Sequence, residues 1–188
     1  MKLSVTPIFA IAALGLLLAL AQGSPLYAQN QPHATACPLE GPSIADTLKY
    51  INDAITRYPG NINGVRPTLV SGTADALTVY YDIGGGVNGR NSAHIYALAC
   101  SVSWESPSTV VVSCQDKHYC FQRNFNTPSS DWMPAGVPTD SGNLIPFNCD
   151  DDSGQRLARA FAHLIALLQQ QYKQSHSDPS DPFAKPPS

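Results

Sequence analysis

The residues of this chain with the most chemical capacity are five cysteines: Cys37, Cys100, Cys114, Cys120 and Cys149. In an oxidising compartment, five thiols default to two disulfides and one unpaired thiol. Cys100 and Cys114 are placed symmetrically about Pro107, and Cys114 and Cys120 about Lys117. Residues directly opposite one another in a hairpin lie about 4.5–5.5 Å apart at Cα, a span that a disulfide bridges. Cys114 can serve only one of these pairs. A bridge from Cys149 would fasten the chain just before the last predicted helix. Five choices of the odd thiol and three connectivities of the rest leave the pairing open. The competing chemistry is zinc, with Cys114, His118 and Cys120 close in sequence and Cys149 as a fourth ligand. No Cys-x-x-Cys pair is present and exported thiols tend to oxidise, so disulfides are expected, with no metal and no cofactor.

Other motifs reduce to structure. Gly84-x-Gly86-x-x-Gly89 matches a dinucleotide-binding pattern and follows a strand-like run. That pattern works where a helix begins after it, offering N–H groups to a pyrophosphate. Here the following residues read as a strand, so a hairpin loop is expected. Asp140-Ser141-Gly142 and Asp152-Ser153-Gly154 both spell the triplet of aspartic proteases. Neither follows an apolar strand, and the expected roles are a turn and a helix cap. Asp150, Asp151 and Asp152 do not fit the alternating ligand loop that calcium needs. His94, His118 and His163 have no Gly-x-Ser-x-Gly nucleophile to serve. No catalytic residue is assigned.

The N-terminus points to export. Met1-Lys2 precedes an uncharged Leu- and Ala-rich run from Leu3 to Ala21, and Ala19-Leu20-Ala21 offers small residues for cleavage. This is the layout of a secretory signal. The same run is long enough to act as an uncleaved anchor, but Pro7, Gly15 and the small residues at its end favour cleavage. Cys37 lies too far downstream to be a lipidated first residue. The formal charge is −3, or −4 once Lys2 is removed, and no run of Lys or Arg stands out. Nucleic acid and anionic lipid are therefore poor partners, and no membrane contact is expected beyond the signal segment.

The elements that must position these residues follow from periodicity. Residues 22–42 are polar and proline-bearing and read as a linker. Residues 43–174 form the predicted domain, and 175–188, with Asp-Pro and Pro-Pro pairs, a disordered tail. Ser43 caps a helix running to Tyr58, with Asp46 in the capping-box position. Ile44, Leu48, Ile51 and Ile55 form its apolar stripe, Lys49, Asn52, Asp53 and Arg57 face water, and Pro59-Gly60 stops it. Strands are predicted at Thr68–Ser71, Ala76–Ile83, Ala93–Trp104, Thr109–Gln115 and Tyr119–Phe125. Their short connections imply an antiparallel meander. A loop from Asn126 to Asn148 follows. A second helix, capped by Asp152 or Ser153, runs to Tyr172 with Leu157, Phe161, Leu164, Ile165 and Leu168 facing the core.

The predicted fold class is thus α+β: an antiparallel β-meander of about five strands flanked by an N-terminal and a C-terminal helix. The order resembles the PH-like roll, a curved meander closed by a C-terminal helix. The segments Thr47-Leu48-Lys49-Tyr50-Ile51-Asn52-Asp53 and Arg156-Leu157-Ala158-Arg159-Ala160-Phe161-Ala162-His163-Leu164 are similar to those at the two ends of uncharacterised exported bacterial domains. The resemblance implies a fold and no activity.

The expected function is that of an exported, periplasmic or extracellular, non-catalytic module that binds a protein or cell-envelope partner. Long structureless loops in compact domains are commonly binding loops, so Trp132, Met133 and Phe147 are the candidate contact residues. The alternatives are a small hydrolase or metal-dependent enzyme using His94, His118 or the aspartates near Asp150, and a purely structural exported domain with a cross-linking thiol. Oligomeric state is not legible.

Overall fold

A computed structural model describes residues 39–105, 107–126, 138 and 140–176. They lie within one compact unit, Pro32–Ser188. The predicted signal segment, Cys37, Trp132, Met133 and the tail from 177 lie outside the described residues.

The first helix, α1, spans Ile44–Arg57, with Ser43 as N-cap. The Ser43 hydroxyl accepts from the Asp46 amide and donates to the Asp46 carboxylate at 2.7 Å. A glutamate at this position would reach back to the cap's own amide. The shorter aspartate stops at the hydroxyl. Asn52 does not face water as its helical position suggests. Its Oδ1 accepts from Val70 N at 2.7 Å and its Nδ2 donates to Val70 O at 2.9 Å. One side-chain amide thereby replaces a missing strand partner and blunts a sheet edge.

Among the described residues seven strands follow: β1 (Arg66–Gly72), β2 (Ala76–Gly84), β3 (Val87–His94), β4 (Leu98–Glu105), β5 (Thr109–Cys114), β6 (Phe121–Asn126) and β7 (Gly142–Pro146). They form two antiparallel sheets, ordered β1-β2-β3-β6 and β4-β5-β7. The α+β class and the helix–strands–helix order hold, with seven strands where about five are readable. The dinucleotide-like glycines make a two-residue hairpin between Gly84 and Val87. Gly85 and Gly86 have φ of 62° and 79°, as a twist-compatible primed turn needs.

Three departures from the expected meander have local causes. The long strand Ala93–Trp104 is broken by a 3-10 turn at Ile95–Ala97, which turns Tyr96 to solvent and Ile95 into the core. The β4–β5 register then shifts between Leu98 and Val102. Val102 faces Val112 as the symmetry about Pro107 requires, but Leu98, not Cys100, faces Cys114. Finally β6 pairs with β3 rather than β5, because both edges of β5 are taken, by β4 and β7. Strand β7 itself lies in the stretch that reads as loop.

The last helix, α2, spans Asp151–His176. Its cap is Asp150, two residues before the expected position. The Asp150 carboxylate accepts from Ser153 N at 2.8 Å and Ser153 Oγ at 3.0 Å. The helix also continues past Tyr172, and the Tyr172 and His176 rings stack at 4.0 Å. Six consecutive residues, Phe161 to Ala166, are buried. At 3.6 residues per turn such a run leaves no solvent face, so α2 is surrounded rather than merely amphipathic. It packs on β4 and β5, on α1 and on the 3-10 turn. Leu168 reaches Gly72 of β1, and the buried His163 meets the Pro42 carbonyl at 2.8 Å. Gln169 Nε2 donates to the carbonyls of Ile95 and Leu98, holding the broken strand against the helix.

Trp104 crosses α2 at Gly154, where an added Cβ would stand 2.2 Å from the indole. Trp104 Nε1 also donates to Asp151 Oδ1 at 3.0 Å. Glycine to alanine in a helix normally stabilises by about 1 kcal/mol. Here overpacking, which costs about 1–3 kcal/mol, opposes and exceeds that gain. Gly154→Ala should therefore lower the Tm by several degrees in a calorimetric scan. A raised Tm would show that the indole is not packed on this glycine.

Candidate functional site

The described candidates do not gather at one place. Cys114 and Cys120 are bonded to each other, with Cα atoms 5.8 Å apart. Of the two symmetric pairs that the sequence leaves open, the one about Lys117 is bonded, although the segment between is a 3-10 turn with Asp116 at φ 53° rather than a strand hairpin. This bond takes two of the thiolates of the zinc alternative. Cys100 is disulfide-bonded as well. Cys149 is the free thiol among the described cysteines, so no bridge fastens the chain before α2. That work falls to the backbone: Phe147 N donates to Ser108 O at 2.8 Å and Asn148 N to Tyr58 O at 3.2 Å.

Phe147, grouped with the loop as a contact residue, is fully buried and packs edge-on against Phe161 at 6.5 Å. Its ring belongs to the core and offers nothing to a partner. His94 and His118 are exposed, and the His94 ring stacks on Tyr96. Asp150 serves α2 as cap, and its hydrogen bonds from Ser153 hold its carboxyl below the usual range. The two Asp-Ser-Gly triplets are a β-bridge at Asp140 opposite Phe121 and the first turn of α2.

The concave feature lies elsewhere. A cavity of about 400 Å³ opens between the inner face of the first sheet and β7. Tyr81, Ile83, Gly89, Asn91, Arg123 and Phe125 line it from the sheet. Gly142, Asn143, Leu144 and Pro146 line it from β7, and the turn at Ile62–Val65 closes one side. Strand alternation explains the sheet side. Tyr81 pairs with Gly89 and Gly89 with Phe125, so one row of side chains crosses the sheet facing inward. Gly89 lets Ile83 and Phe125 close over it, since a Cβ there would stand 2.8 Å from Ile83 Cδ1.

The floor of the cleft is polar and uncharged. Asn143 Oδ1 accepts from Tyr81 Oη and from Asn91 Nδ2, each at 2.8 Å. This knot joins β2 and β3 of one sheet to β7 of the other. Asn143 is 2% exposed, and its Nδ2 is buried without a hydrogen-bond partner. Loss of solvation pushes the Tyr81 phenol far above its usual range, outweighing the charge of Arg123. The phenol therefore stays neutral and donates. At the rim Arg123 and Asp140 pair at 3.2 Å, so the charges lining the cleft cancel. Its mouth carries Phe125 and Leu144, 41% and 54% exposed.

Chemically this arrangement holds and orients. The cleft's volume is at the small end of ligand pockets, with apolar walls and a few placed polar groups. Tyr81 is legible in the sequence as an inward strand residue. Asn91, Asn143, Arg123 and Asp140 are not, because the register that unites them depends on β7 and on the β3–β6 pairing. The one local signal is the short apolar run Leu144-Ile145-Pro146-Phe147. No protein-family model matches this chain, and no significant relative is found among curated proteins.

Cys149 yields a measurable consequence. Burial, then Asp150 and Asp151, raise its thiol pKa, with Arg156 opposing. A raised pKa leaves less thiolate at neutral pH. Iodoacetamide should label Cys149 more slowly at pH 7.5 than a free thiol peptide, with the rate still climbing above the ordinary thiol range. Cys149→Ser should remove that label. Labelling as fast as the peptide would contradict the acidic surroundings of this thiol.

Proposed function

We propose that this protein is an exported, non-catalytic binding module and that the cleft between the first sheet and β7 seats its ligand. The observation carrying this reading is the Tyr81–Asn143–Asn91 knot, which sets ordered hydrogen-bonding groups at the base of an apolar concavity. Buried polar groups are costly unless satisfied, and a donor left over at Asn143 Nδ2 beside a cleft is a feature that binding sites share.

Export is supported by the signal-like segment Met1–Ala21 and by the Cys114–Cys120 disulfide, which suits an oxidising compartment. Among the described residues no helix is long and apolar enough to cross a membrane. Seven strands in sheets of four and three, followed by a C-terminal helix, support the likeness to a PH-like roll. The placing of β6 beside β3 counts against a simple one.

The neutral fluorescent probe N-phenyl-1-naphthylamine tests the cleft. Saturable binding is expected, weakened severalfold by Phe125→Ser and by Leu144→Ser, whose exposed side chains can be shortened without opening the core. No saturable binding, or binding indifferent to both substitutions, would remove the cleft as a ligand seat.

A further inference from the structure

We infer that the open edge of β7 docks an extended, uncharged peptide segment, which adds as an antiparallel strand with every second side chain in the cleft. This rests on the cleft being the ligand seat and names the kind of partner it takes.

Hydrogen-bond parity sets which groups of β7 face away from β5. Phe147 N bonds Ser108 O, and Cys114 N bonds Ser141 O, each at 2.8 Å. The β5–β7 register runs between these two pairs without a shift. In an antiparallel ladder, hydrogen-bonded and non-bonded pairs alternate. Residues 141, 143, 145 and 147 therefore turn their N–H and C=O groups to β5. Gly142 and Leu144 turn theirs to the other side, the side of the cleft that both residues line. No described residue bonds these outward groups of Leu144. Pro146, next in the outward series, has a carbonyl and no N–H.

The chain itself begins to use this edge and then leaves it. Asn148, again outward in parity, donates its N–H to Tyr58 O at 3.2 Å, and Pro59 forms an antiparallel bridge with Phe147. Gly60 lies so close to the Pro146 carbonyl that a Cβ would stand 2.2–2.4 Å away. Beyond it the turn at Asn61–Gly64 diverts the backbone, with Asn63 at φ 53° and Gly64 at φ 86°. A native strand partner thus covers the C-terminal end of β7 and stops before Leu144, and at the other end Asp140, next in the outward series, already exchanges backbone hydrogen bonds with Phe121. An added strand would continue along the same edge, taking donor–acceptor pairs at Leu144 and Gly142 about 6.8 Å apart.

The chemistry of the cleft selects the segment. Residues opposite Leu144 share its outward face, while their neighbours point inward toward Ile83, Phe125 and the Tyr81–Asn143–Asn91 floor. Those walls suit an apolar side chain. The Arg123–Asp140 pair supplies no net charge for a charged one, and the desolvated floor disfavours it.

The probe is acetyl-Thr-Val-Thr-amide, titrated into 15N-labelled protein lacking residues of the signal segment, as secreted. Its threonines fall opposite Leu144 and Gly142, and the valine between them suits the cleft. The expected result is saturable binding with shifts of the Gly142 and Leu144 amides and displacement of N-phenyl-1-naphthylamine. N-methylation of the first threonine, opposite Leu144, should weaken binding roughly fivefold, the worth of one net hydrogen bond. N-methylation of the valine should change it little. Leu144→Pro removes an outward N–H that the β5 ladder does not use, and should reduce peptide binding while the protein still melts cooperatively. Should that variant not fold, the N-methyl series decides alone. Binding of the dye without the peptide, or peptide binding indifferent to the position of methylation, would overturn the strand-docking inference and leave the cleft as a ligand seat. Binding of neither would remove both.

Discussion

Helix α2 has no solvent face from Phe161 to Ala166, and covering it dictates where the other elements lie. An amphipathic helix needs one layer beneath it, whereas a buried one needs layers around it. Strands β4 and β5, α1 and the 3-10 turn at Ile95–Ala97 all pack on α2. The break in the long strand is part of this. It directs Ile95 inward and presents the Ile95 and Leu98 carbonyls to Gln169. Phe121, Phe147 and Phe161, all fully buried, fill the interior between the layers. Each contributes about 1.5–3 kcal/mol relative to an exposed ring.

The cleft is the complement of that arrangement. None of its lining residues comes from either helix. Beside the cleft, hydrogen bonds from Tyr81 and Asn91 to Asn143 tie the two sheets together. A polar knot between sheets fixes their spacing by geometry, whereas an apolar contact would let them close up. The result is a concavity with an ordered floor and, along one side, the edge of a short strand. An exposed edge is a liability that proteins usually cover. Asn52 covers the edge at Val70 with its own side chain. Tyr58 and Pro59 cover the end of β7. The stretch at Gly142–Leu144 lies beside the cleft instead.

What the sequence made legible divides along local and non-local lines. Both helices were readable because their caps and stripes are local: Ser43, Asp46, Ile51, Ile55 and the run from Leu157 to Leu168. A glycine turn after β2 was readable for the same reason, although β3 starts at Val87 inside the stretch that reads as loop, and the symmetry about Pro107 offers Cys114 a rival to Cys120. The neighbouring pairs β1–β2 and β4–β5 follow the expected meander, but the places of β6 and β7 were not readable. The partner of β6 follows from β5 already having two neighbours, and one of those, β7, is five residues long and ends in a proline. The site depends on that missing pairing, since Asn91, Arg123, Asp140 and Asn143 come together only through it. Phe147 misled because it follows a proline- and glycine-bearing stretch, although its neighbours Leu144 and Ile145 form a strand that carries it into the core.

The most direct measurement is residue-resolved amide hydrogen exchange of the free protein by NMR along β7. The account predicts alternation: Asn143 and Ile145 protected by their bonds to β5, and Leu144 exchanging much faster between them. Protection of Leu144 equal to that of its two neighbours would mean that the edge is already paired, and the open strand on which the site reading depends would not exist.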